Sequence, residues 1–552
     1  MDDNTKRVIV AVALSFIVIV GWNYLFPPQQ QQQPSSTQTE ATQSQQQTAN
    51  SGQAGDQTQR PTSTGAEGIS SEGAQQSLSG SSYEPEISGK RVIVNTPLYK
   101  ATLNSAGGVL EHLELKKYQV SIKPGAADVD LITPDTVQKA PMGLIWQQRP
   151  TWSEAEWELQ GGNLDLQQGE SGTLTLVGTM DGVRLQRTLE FSAASYRIDE
   201  NLEVLNAREH GLTGTLSFTM ASEQLAEKSR YNRTELIYFN GGLNTEDDTD
   251  DLQIGIHPAE PVSWAGIGSN YFLLAAVPTS GDMDLRGKYE DNVYRVALGS
   301  QVSLAPEQDA QLSCSYYIGP KKSKQLATVP QNLQAAIQYG WFDFIAKPLI
   351  KVLKFFYSYV GNYGVAIILL TIVIKIVFWP LSQKSYKSME KMKKLQPMMS
   401  QLKEKYGDDR QKLNEEMMRL YKTYKVNPAG GCLPMLLQIP VFIALYQGLL
   451  GAVELRHAPF IAHLPFTDII WLADLSAKDP LYITPIVMGA TMFLQQKMTP
   501  TPGDSTQAKI MMFMPLIFTF IFLSFPAGLV VYWLVNNVLS IAQQWMLTRK
   551  AS

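Results

Sequence analysis

The stretch VAIILLTIVIKIVFW, from Val365 to Trp379, decides the fold of this chain. It is apolar apart from Thr371 and Lys375, and it contains no acidic residue. A cation near the middle of a membrane span costs roughly 2.5–3.5 kcal/mol on insertion-based scales. A span keeps such a charge where water or polar side chains solvate it, and Thr371 lies one turn before Lys375 on the same helix face. We therefore predict a positively charged, hydrated pocket inside the membrane.

A second interpretation of Lys375 is that its amine snorkels to the nearer membrane surface. Pro380 marks the end of the span, five residues further along, and a helix rises only about 8 Å over that distance. The sequence leaves both interpretations open.

The 552 residues divide sharply by composition. Residues 29–85 are mostly Gln, Ser, Thr and Gly, whereas the chain from 341 onward is rich in Phe, Ile, Leu, Met and Trp. This division is typical of a membrane protein with a soluble part and excludes a single globule. Because 29–85 can bury too little apolar surface to offset chain entropy, we predict a disordered polar linker there.

The N-terminal segment 1–28 contains the first apolar stretch, 8–26, directly after two basic residues. A secretory signal begins in the same way, but its cleavage site requires small residues after the apolar part. Here Trp22 and Tyr24 follow instead, and such aromatic residues anchor helices at the membrane interface. We predict an uncleaved transmembrane anchor with its N-terminus in the cytoplasm.

Five further spans are predicted to form an α-helical membrane core over 358–548, which a short cytoplasmic tail, 549–552, follows. Between 384 and 425 there are twelve Lys or Arg and six Asp or Glu. A basic excess of this kind is typical of a cytoplasmic loop. The five spans lie at 358–380, 431–452, 481–496, 510–524 and 527–547.

Residues 86–320 consist of short runs in which apolar and polar residues alternate, as in Val183, Leu185, Leu189 and Phe191. Such alternation is typical of half-buried strands. We predict a large all-β domain of the sandwich type on the outer face of the membrane. No pattern identifies a ligand, so a structural or partner-docking role is expected.

The connector 321–357 carries three lysines at helical spacing, Lys347, Lys351 and Lys354, among apolar residues. Their arrangement predicts an interfacial amphipathic helix that lies flat on the outer membrane face.

The loop 383–425 is predicted to form a cytoplasmic helical hairpin, because apolar residues recur at helical spacing on both sides of a turn at 407–409. The side chains of its methionines are flexible and therefore suit an adaptable docking surface. Packing of the two helices against each other explains them equally well. The methionines predicted for docking are Met389, Met392, Met399 and Met417.

Several classes of site are absent from the sequence. The two cysteines, Cys314 and Cys432, lie in different regions, and the five histidines show no metal-ligand spacing. We find no phosphate-binding glycine loop, nucleophile elbow or HExxH motif. We therefore predict no metal, no cofactor and no enzymatic reaction.

Four features together resemble the YidC family of bacterial membrane protein insertases, which is related to the mitochondrial Oxa and chloroplast Albino insertases. They are the Lys375 span, the charged hairpin, NPAGGCLPMLLQIPVFIALY at 427–446 and FPAGLVVYW at 525–533. The resemblance covers about 341–548, and the anchor, linker and β domain fit the Gram-negative form. It implies an inner-membrane location and a periplasmic β-supersandwich for 86–320.

The resemblance also implies site residues. The family usually has an arginine at the position of Lys375, and lysine keeps its charge but not its bidentate fork. Thr371 and Tyr532 match positions that contact the inserting chain, and Gln438 matches a polar groove residue. Spacing adds Asn536, one helical turn after Tyr532. The predicted substrate-contacting groove therefore consists of Lys375, Thr371, Gln438, Tyr532, Trp533 and Asn536.

We predict a membrane protein insertase and chaperone that moves nascent membrane proteins into the inner membrane through a lipid-open hydrophilic groove, alone or with the Sec translocon. Expected partners are nascent membrane proteins, Sec translocon components and membrane lipids. Ribosome–nascent chain complexes are expected to bind weakly because no long basic tail follows Arg549, and no sequence-specific binding of nucleic acid is expected.

Two other classes remain as alternatives. A solute transporter would use Lys375 to bind an anion, but such proteins often contain paired repeats, and we find none here. An envelope scaffold would use the β domain to bind partners, but it needs fewer spans than this chain has.

Overall fold

The computed structural model describes residues 89–225, 232–407, 409–427, 433–498 and 505–549. The predicted anchor, 1–28, and the predicted linker, 29–85, lie outside the described residues. The described chain consists of an all-β part followed by a helical part.

The all-β part runs from Arg91 to Pro320 and contains short helical turns between some of its strands. Its strands are β1 (Arg91–Asn95), β2 (Tyr99–Asn104), β3 (Val109–Gln119), β4 (Asp128–Asp130), β5 (Leu144–Trp146), β6 (Arg149–Pro150), β7 (Glu156–Gln160), β8 (Leu164–Asp165), β9 (Ser171–Met180), β10 (Val183–Ser192), β11 (Arg197–Asn206), β12 (Leu212–Ser222), β13 (Glu235–Phe239), β14 (Leu243–Glu246), β15 (Trp264–Gly268), β16 (Phe272–Pro278), β17 (Asp284–Glu290), β18 (Val293–Leu304) and β19 (Asp309–Pro320). These helical turns are Pro134–Val137, Thr151–Glu154 and Thr249–Ile254, and a further turn, Ser323–Leu326, follows β19.

These strands form three sheets around one apolar core. The largest has the order β14-β13-β15-β16-β19-β11-β10-β9-β7, and the others are β17-β18-β12-β5-β6 and β4-β3-β2-β1-β8. Val183, Leu185, Leu189 and Phe191 of β10 all point into the core, as their alternation predicts. The prediction of a β-sandwich domain joined to a helical membrane region is confirmed.

A buried ion pair lies within this core. Arg187 of β10 donates from Nε to Glu200 Oε1 at 2.7 Å and from Nη2 to Oε2 at 2.8 Å. It also donates to the carbonyl oxygens of Gly107 and Met142. Burial alone would lower the pKa of Arg187, but the Glu200 carboxylate raises it, so the guanidinium stays charged. The ion pair thereby links strands β10 and β11 to the loops that contain Gly107 and Met142.

The helical part contains seven helices in the described residues. They are α1 (Asp343–Val360), α2 (Tyr363–Tyr406), α3 (Arg410–Thr423), α4 (Leu433–Leu450), α5 (Ile483–Met498), α6 (Ser505–Phe522) and α7 (Ala527–Arg549). Short 3-10 turns lie at Leu333–Ala336, Gly340–Phe342 and Val453–Leu455, and a small hairpin of β20 (Ile461–His463) and β21 (Ile470–Leu472) lies between α4 and α5.

Helix α2 continues well beyond the predicted end of the first core span. It runs for 44 residues through Pro380 and Pro397, which corresponds to about 66 Å. Pro380 removes one backbone hydrogen bond, but the helix continues through it. The first core span and the first helix of the hairpin are therefore one helix.

The helical core presents apolar side chains on its outside. By length and composition, α2 is the one described helix that could cross a membrane unaided, and Leu436–Leu450 and Met512–Phe522 are shorter apolar segments. Phe513, Leu516 and Phe520 of α6 are all largely exposed. An apolar surface of this kind is stable in contact with lipid.

Helix α1 is amphipathic. Ala346, Ile350 and Leu353 are buried in the helical core, whereas Phe344 and Phe355 are exposed on other faces. The helix ends at Gly361, whose φ of 64° is the left-handed conformation typical of a helix C-terminus. Its placement on the outer membrane face stays a prediction.

Candidate functional site

Lys375 is held by a side chain of another helix. Its Nζ donates to Ser540 Oγ of α7 at 2.6 Å, and Ser540 Oγ donates to the carbonyl oxygen of Asn536 at 2.7 Å. Lys375 is half-buried, and none of the carboxylates in the described residues pairs with it. The amine is thus directed at α7 rather than at a free surface, in contrast to the snorkelling interpretation.

The contact between these two helices lies deep in the core. Lys375 comes twelve residues after Tyr363, the first residue of α2, and Ser540 comes thirteen after Ala527, the first of α7. At 1.5 Å per residue, each lies about 18–20 Å along its helix. The two groups therefore lie at a similar level of the helical bundle.

The inner half of α7 carries a polar stripe. Its outer half buries apolar residues, including Leu529, Val530 and Val531. Beyond them, polar residues recur at i, i+1, i+4, i+7 and i+8, a spacing that places them on one helix face. These residues are Asn536, Asn537, Ser540, Gln543 and Gln544, and all five are buried.

Helices α2 and α5 complete this site. Asn537 Nδ2 lies 3.4 Å from Thr491 Oγ1 of α5, and Gln544 Nε2 donates to the carbonyl oxygen of Met498 at 2.7 Å. We call Lys375, Thr491 and the five polar residues of α7 the polar cluster. It joins three helices at the inner half of the membrane core.

Gln543 has unused hydrogen-bonding capacity. Both its amide nitrogen and its amide oxygen are buried, and neither has a partner in the part of the chain that the structure describes. Leaving a buried polar group unsatisfied costs about 1–3 kcal/mol. A group of this kind points to a water molecule or to a ligand that completes its hydrogen bonds.

Three predicted groove residues are not open to solvent. Thr371, Tyr532 and Asn536 have exposed fractions of 1%, 0% and 8%. Helices α2 and α7 pack directly on each other at this level, and the Thr371 hydroxyl donates to the carbonyl of Ile367 at 2.6 Å in its own helix. In this structure these residues therefore lie inside a closed helix interface, and their contact with an inserting chain stays a prediction.

The remaining predicted residues, Gln438 and Trp533, lie nearer the outer end of α7. Gln438 of α4 is half-buried beside the Tyr532 hydroxyl. The Trp533 ring packs against Phe442 and Phe522, with centroids 4.6 Å and 5.4 Å away. Trp533 therefore belongs to an aromatic cluster between α4, α6 and α7, outside the polar cluster.

The methionines of the hairpin occupy different environments. Met392 is buried with Leu395 and Val426, and Met399 packs against this group. The interior packing of the hairpin thus accounts for both, and their part in a docking surface stays a prediction. Met389 and Met417 are half-buried, while Met398 and Met418, which the sequence prediction did not include, are exposed.

Comparison with known proteins agrees with this architecture. The family described as YidC periplasmic domain matches residues 91–352, and the family described as 60Kd inner membrane protein matches 355–552. The membrane protein insertase YidC of Maridesulfovibrio salexigens is 54% identical over 552 residues, covering 99% of each chain. That of Oleidesulfovibrio alaskensis is 53% identical over 556 residues, covering 99% of this chain and 100% of the relative. This chain belongs to the YidC family.

A solved structure is also similar. The crystal structure of an active YidC insertase with its first transmembrane domain resolved aligns with 82% of this chain and 92% of that chain, at 18% identity and a TM-score of 0.36. As a member of the YidC family, the chain is an inner-membrane protein with a periplasmic domain.

Sequence reasoning missed five residues of the polar cluster in this YidC family member: Thr491, Asn537, Ser540, Gln543 and Gln544. A usable signal was present, because the polar residues from 536 to 544 recur with helical periodicity in an otherwise apolar span. Thr491 gave no such signal, since a single threonine in an apolar helix has many structural roles.

Proposed function

We propose that this chain is a membrane protein insertase whose polar cluster receives the polar portion of a nascent membrane protein. Polar groups that enter hydrocarbon without partners cost several kcal/mol each. The cluster offers them a lysine amine, a hydroxyl and amide groups at the required depth. The buried, unpartnered amide of Gln543, one turn from the Lys375–Ser540 contact, is the observation that carries this proposal.

The direction of insertion follows from the surroundings of the cluster. Lys375 attracts acidic residues of the incoming segment, and separation of α2, α5 and α7 opens the closed interface to them. The apolar part of the segment then moves along the exposed apolar surface of the helices into lipid, and hydrophobic transfer drives this step. Thr371, Gln438, Tyr532, Trp533 and Asn536 contact the segment as it passes.

The proposal includes a topology. The anchor, 1–28, begins in the cytoplasm and crosses the membrane, the linker, 29–85, lies in the periplasm, and the hairpin, 383–425, lies in the cytoplasm. The basic excess of the hairpin supports this orientation. Met398 and Met418 extend the docking surface of the hairpin, because they are its exposed methionines.

Partners beyond the substrate follow from the same proposal. The chain acts alone or beside Sec translocon components, contacts membrane lipids through its exposed apolar helix faces and binds ribosome–nascent chain complexes weakly. It performs no enzymatic step, since binding and partitioning account for the insertion.

Site-specific photocrosslinking tests this function. A photoreactive residue at Thr371, Tyr532 or Gln543 is expected to form adducts with a single-span membrane protein arrested during insertion. The same residue at Gln253, which is exposed on the β part, serves as the control and is expected to give none. If variants that still insert the substrate form no adducts at any of the three core positions, the proposal is overturned.

A further inference from the structure

The small hairpin between α4 and α5 presents an apolar tip. Strands β20 and β21 pair antiparallel, with Ile461 opposite Leu472 and His463 opposite Ile470. In the turn between them, Phe466 is fully exposed and Ile469 is 51% exposed, and Ile470, the first residue of β21, is 41% exposed. Pro465 is exposed as well. These residues form the hairpin tip, and together they leave an apolar surface uncovered by the rest of the described chain.

The turn that carries Phe466 is held by several hydrogen bonds. Leu464 N donates to Ile469 O at 2.9 Å, and Thr467 donates to Leu464 O from both N and Oγ1, at 3.0 Å and 2.9 Å. Phe466 has a φ of 67°, a left-handed conformation that a bulky residue adopts only when its surroundings impose it. The turn is therefore fixed in a shape that projects a phenylalanine outward.

The base of the hairpin lies at the outer ends of the membrane helices. Phe460 O accepts a hydrogen bond of 3.1 Å from Asn362 Nδ2, and Asn362 also caps the first turn of α2. Leu472 is buried in the helical core. A few residues on, Ala477 O accepts from Ala527 N, the start of α7, at 2.7 Å. The hairpin thus begins at the level where α2 and α7 enter the membrane.

The β part contacts a different portion of this loop. Val453 belongs to the core of the β part, and the Arg456 guanidinium lies 5.7 Å from the centre of the Phe272 ring. The hairpin tip takes no part in these contacts. It is therefore not covered by the β part, although its base is continuous with the membrane-embedded helices.

We propose that the hairpin tip inserts into the outer leaflet of the bilayer, between the lipid headgroups and the upper acyl chains. Its exposed phenylalanine and isoleucine side chains suit the boundary between the headgroups and the acyl chains. The adjoining Thr467 and Asp468 suit the hydrated headgroups. Trp471 lies at the base of the hairpin, and tryptophan prefers the membrane–water interface. The hairpin then fixes the depth of the outer helix ends, independently of any substrate in the polar cluster.

Spin labelling of the full chain tests this proposal. A nitroxide is attached to Phe466→Cys in a Cys432→Ala background, in vesicles of phosphatidylethanolamine and phosphatidylglycerol; Cys314 is buried and remains unlabelled. Collision with oxygen and with a water-soluble nickel chelate reports the depth of the label. Phe520→Cys on α6 gives the lipid reference, and Gln253→Cys gives the aqueous reference.

The label at 466 is expected to collide with the nickel chelate severalfold less often than a label at 253. Its collision frequency with oxygen is expected to match that of the label at 520. Equal nickel accessibility at 466 and 253 would overturn the proposal. Spin–spin broadening at 466 that disappears on dilution with unlabelled protein would also overturn it, because the tip would then contact a second copy. If the Phe466→Cys variant does not fold, a variant that carries Phe466→Leu and the label at Ile469→Cys is measured in its place, with the same expected result.

Discussion

At the scale of single residues, the position of Lys375 explains how a charge is kept inside an apolar helix. Its amine donates a hydrogen bond to Ser540, and that hydroxyl is itself oriented by the carbonyl of Asn536. A hydrogen bond to a charged group contributes about 1.5–3 kcal/mol, which is comparable with the insertion cost of the lysine. The resting protein therefore tolerates the charge, and an acidic substrate residue offers the amine a stronger partner.

Replacement of Lys375 tests this exchange of partners. Lys375→Ala is expected to reduce insertion of a substrate with acidic residues in its translocated segment about tenfold, the factor that corresponds to roughly 1.4 kcal/mol. Lys375→Arg keeps the charge and is expected to insert nearly as much as the wild type. The measurement is the fraction of substrate that becomes protease-protected in cells depleted of the native protein.

The control is Lys387→Ala, which removes an exposed lysine of the same helix and is expected to leave insertion unchanged. A substrate whose acidic residues are replaced by asparagine should lose most of its dependence on Lys375. Equal insertion of the acidic substrate by the wild type and by Lys375→Ala would show that the charge is dispensable.

At the scale of elements, α7 combines two functions along its length. Its outer half packs apolar residues against α2 and α4, and its inner half buries five polar residues against α2 and α5. Apolar packing holds the bundle together, whereas a buried polar stripe adds little stability unless each group is satisfied. The stripe is therefore the part of the bundle that a polar segment can most readily enter.

A substitution within the stripe separates stability from function. Gln543→Leu keeps the approximate volume and removes an unsatisfied amide, so it is expected to leave the free energy of unfolding unchanged or raise it by about 1 kcal/mol. Insertion should fall severalfold, because the incoming segment loses two hydrogen-bonding groups. Urea unfolding in detergent and the protease-protection assay measure the two quantities. Val538→Leu, on the exposed face of α7, is the control, and a Gln543→Leu variant with full insertion activity would contradict the assignment.

The elements show how far sequence patterns reach. Alternation in β10 predicted which residues face the β core, because a strand with one buried face has a period of two. Residue type alone marked Lys375, because a charge in an apolar span is costly wherever it lies. Burial of Thr371 and Tyr532 could not be predicted, since it depends on how closely α2 and α7 pack. The continuity of α2 through Pro380 was also missed, because proline usually ends a helix pattern.

At the scale of the whole molecule, the loop between α4 and α5 contacts both parts of the chain. Residues 451–482 contact the β part through Val453 and Arg456 and the helical part through Leu472. Lys354 of α1 forms a 2.7 Å ion pair with Glu454 in the same loop. These contacts connect segments distant in sequence, so no local pattern foretold them. The loop is therefore one of the segments that hold the periplasmic domain on the helical core.

This junction is expected to weaken at low pH because of His457. Burial lowers the pKa of His457 below 6.5, the Arg456 charge lowers it further, and the Asp474 carboxylate acts in the opposite direction. The unfolded loop therefore binds a proton more readily than the folded loop does. The stability that the neutral His457 gives the folded loop is fully present above the unfolded pKa, near 6.5, and is lost as the pH falls toward the lower folded value.

Hydrogen exchange of 451–482 should accelerate between about pH 7.5 and 5.5, after correction for the intrinsic rate. His457→Gln should abolish this acceleration, whereas His112→Gln, on β3 of the β part, should leave it in place. Exchange in the wild type that is independent of pH over this range would show that the protonation of His457 does not control the junction.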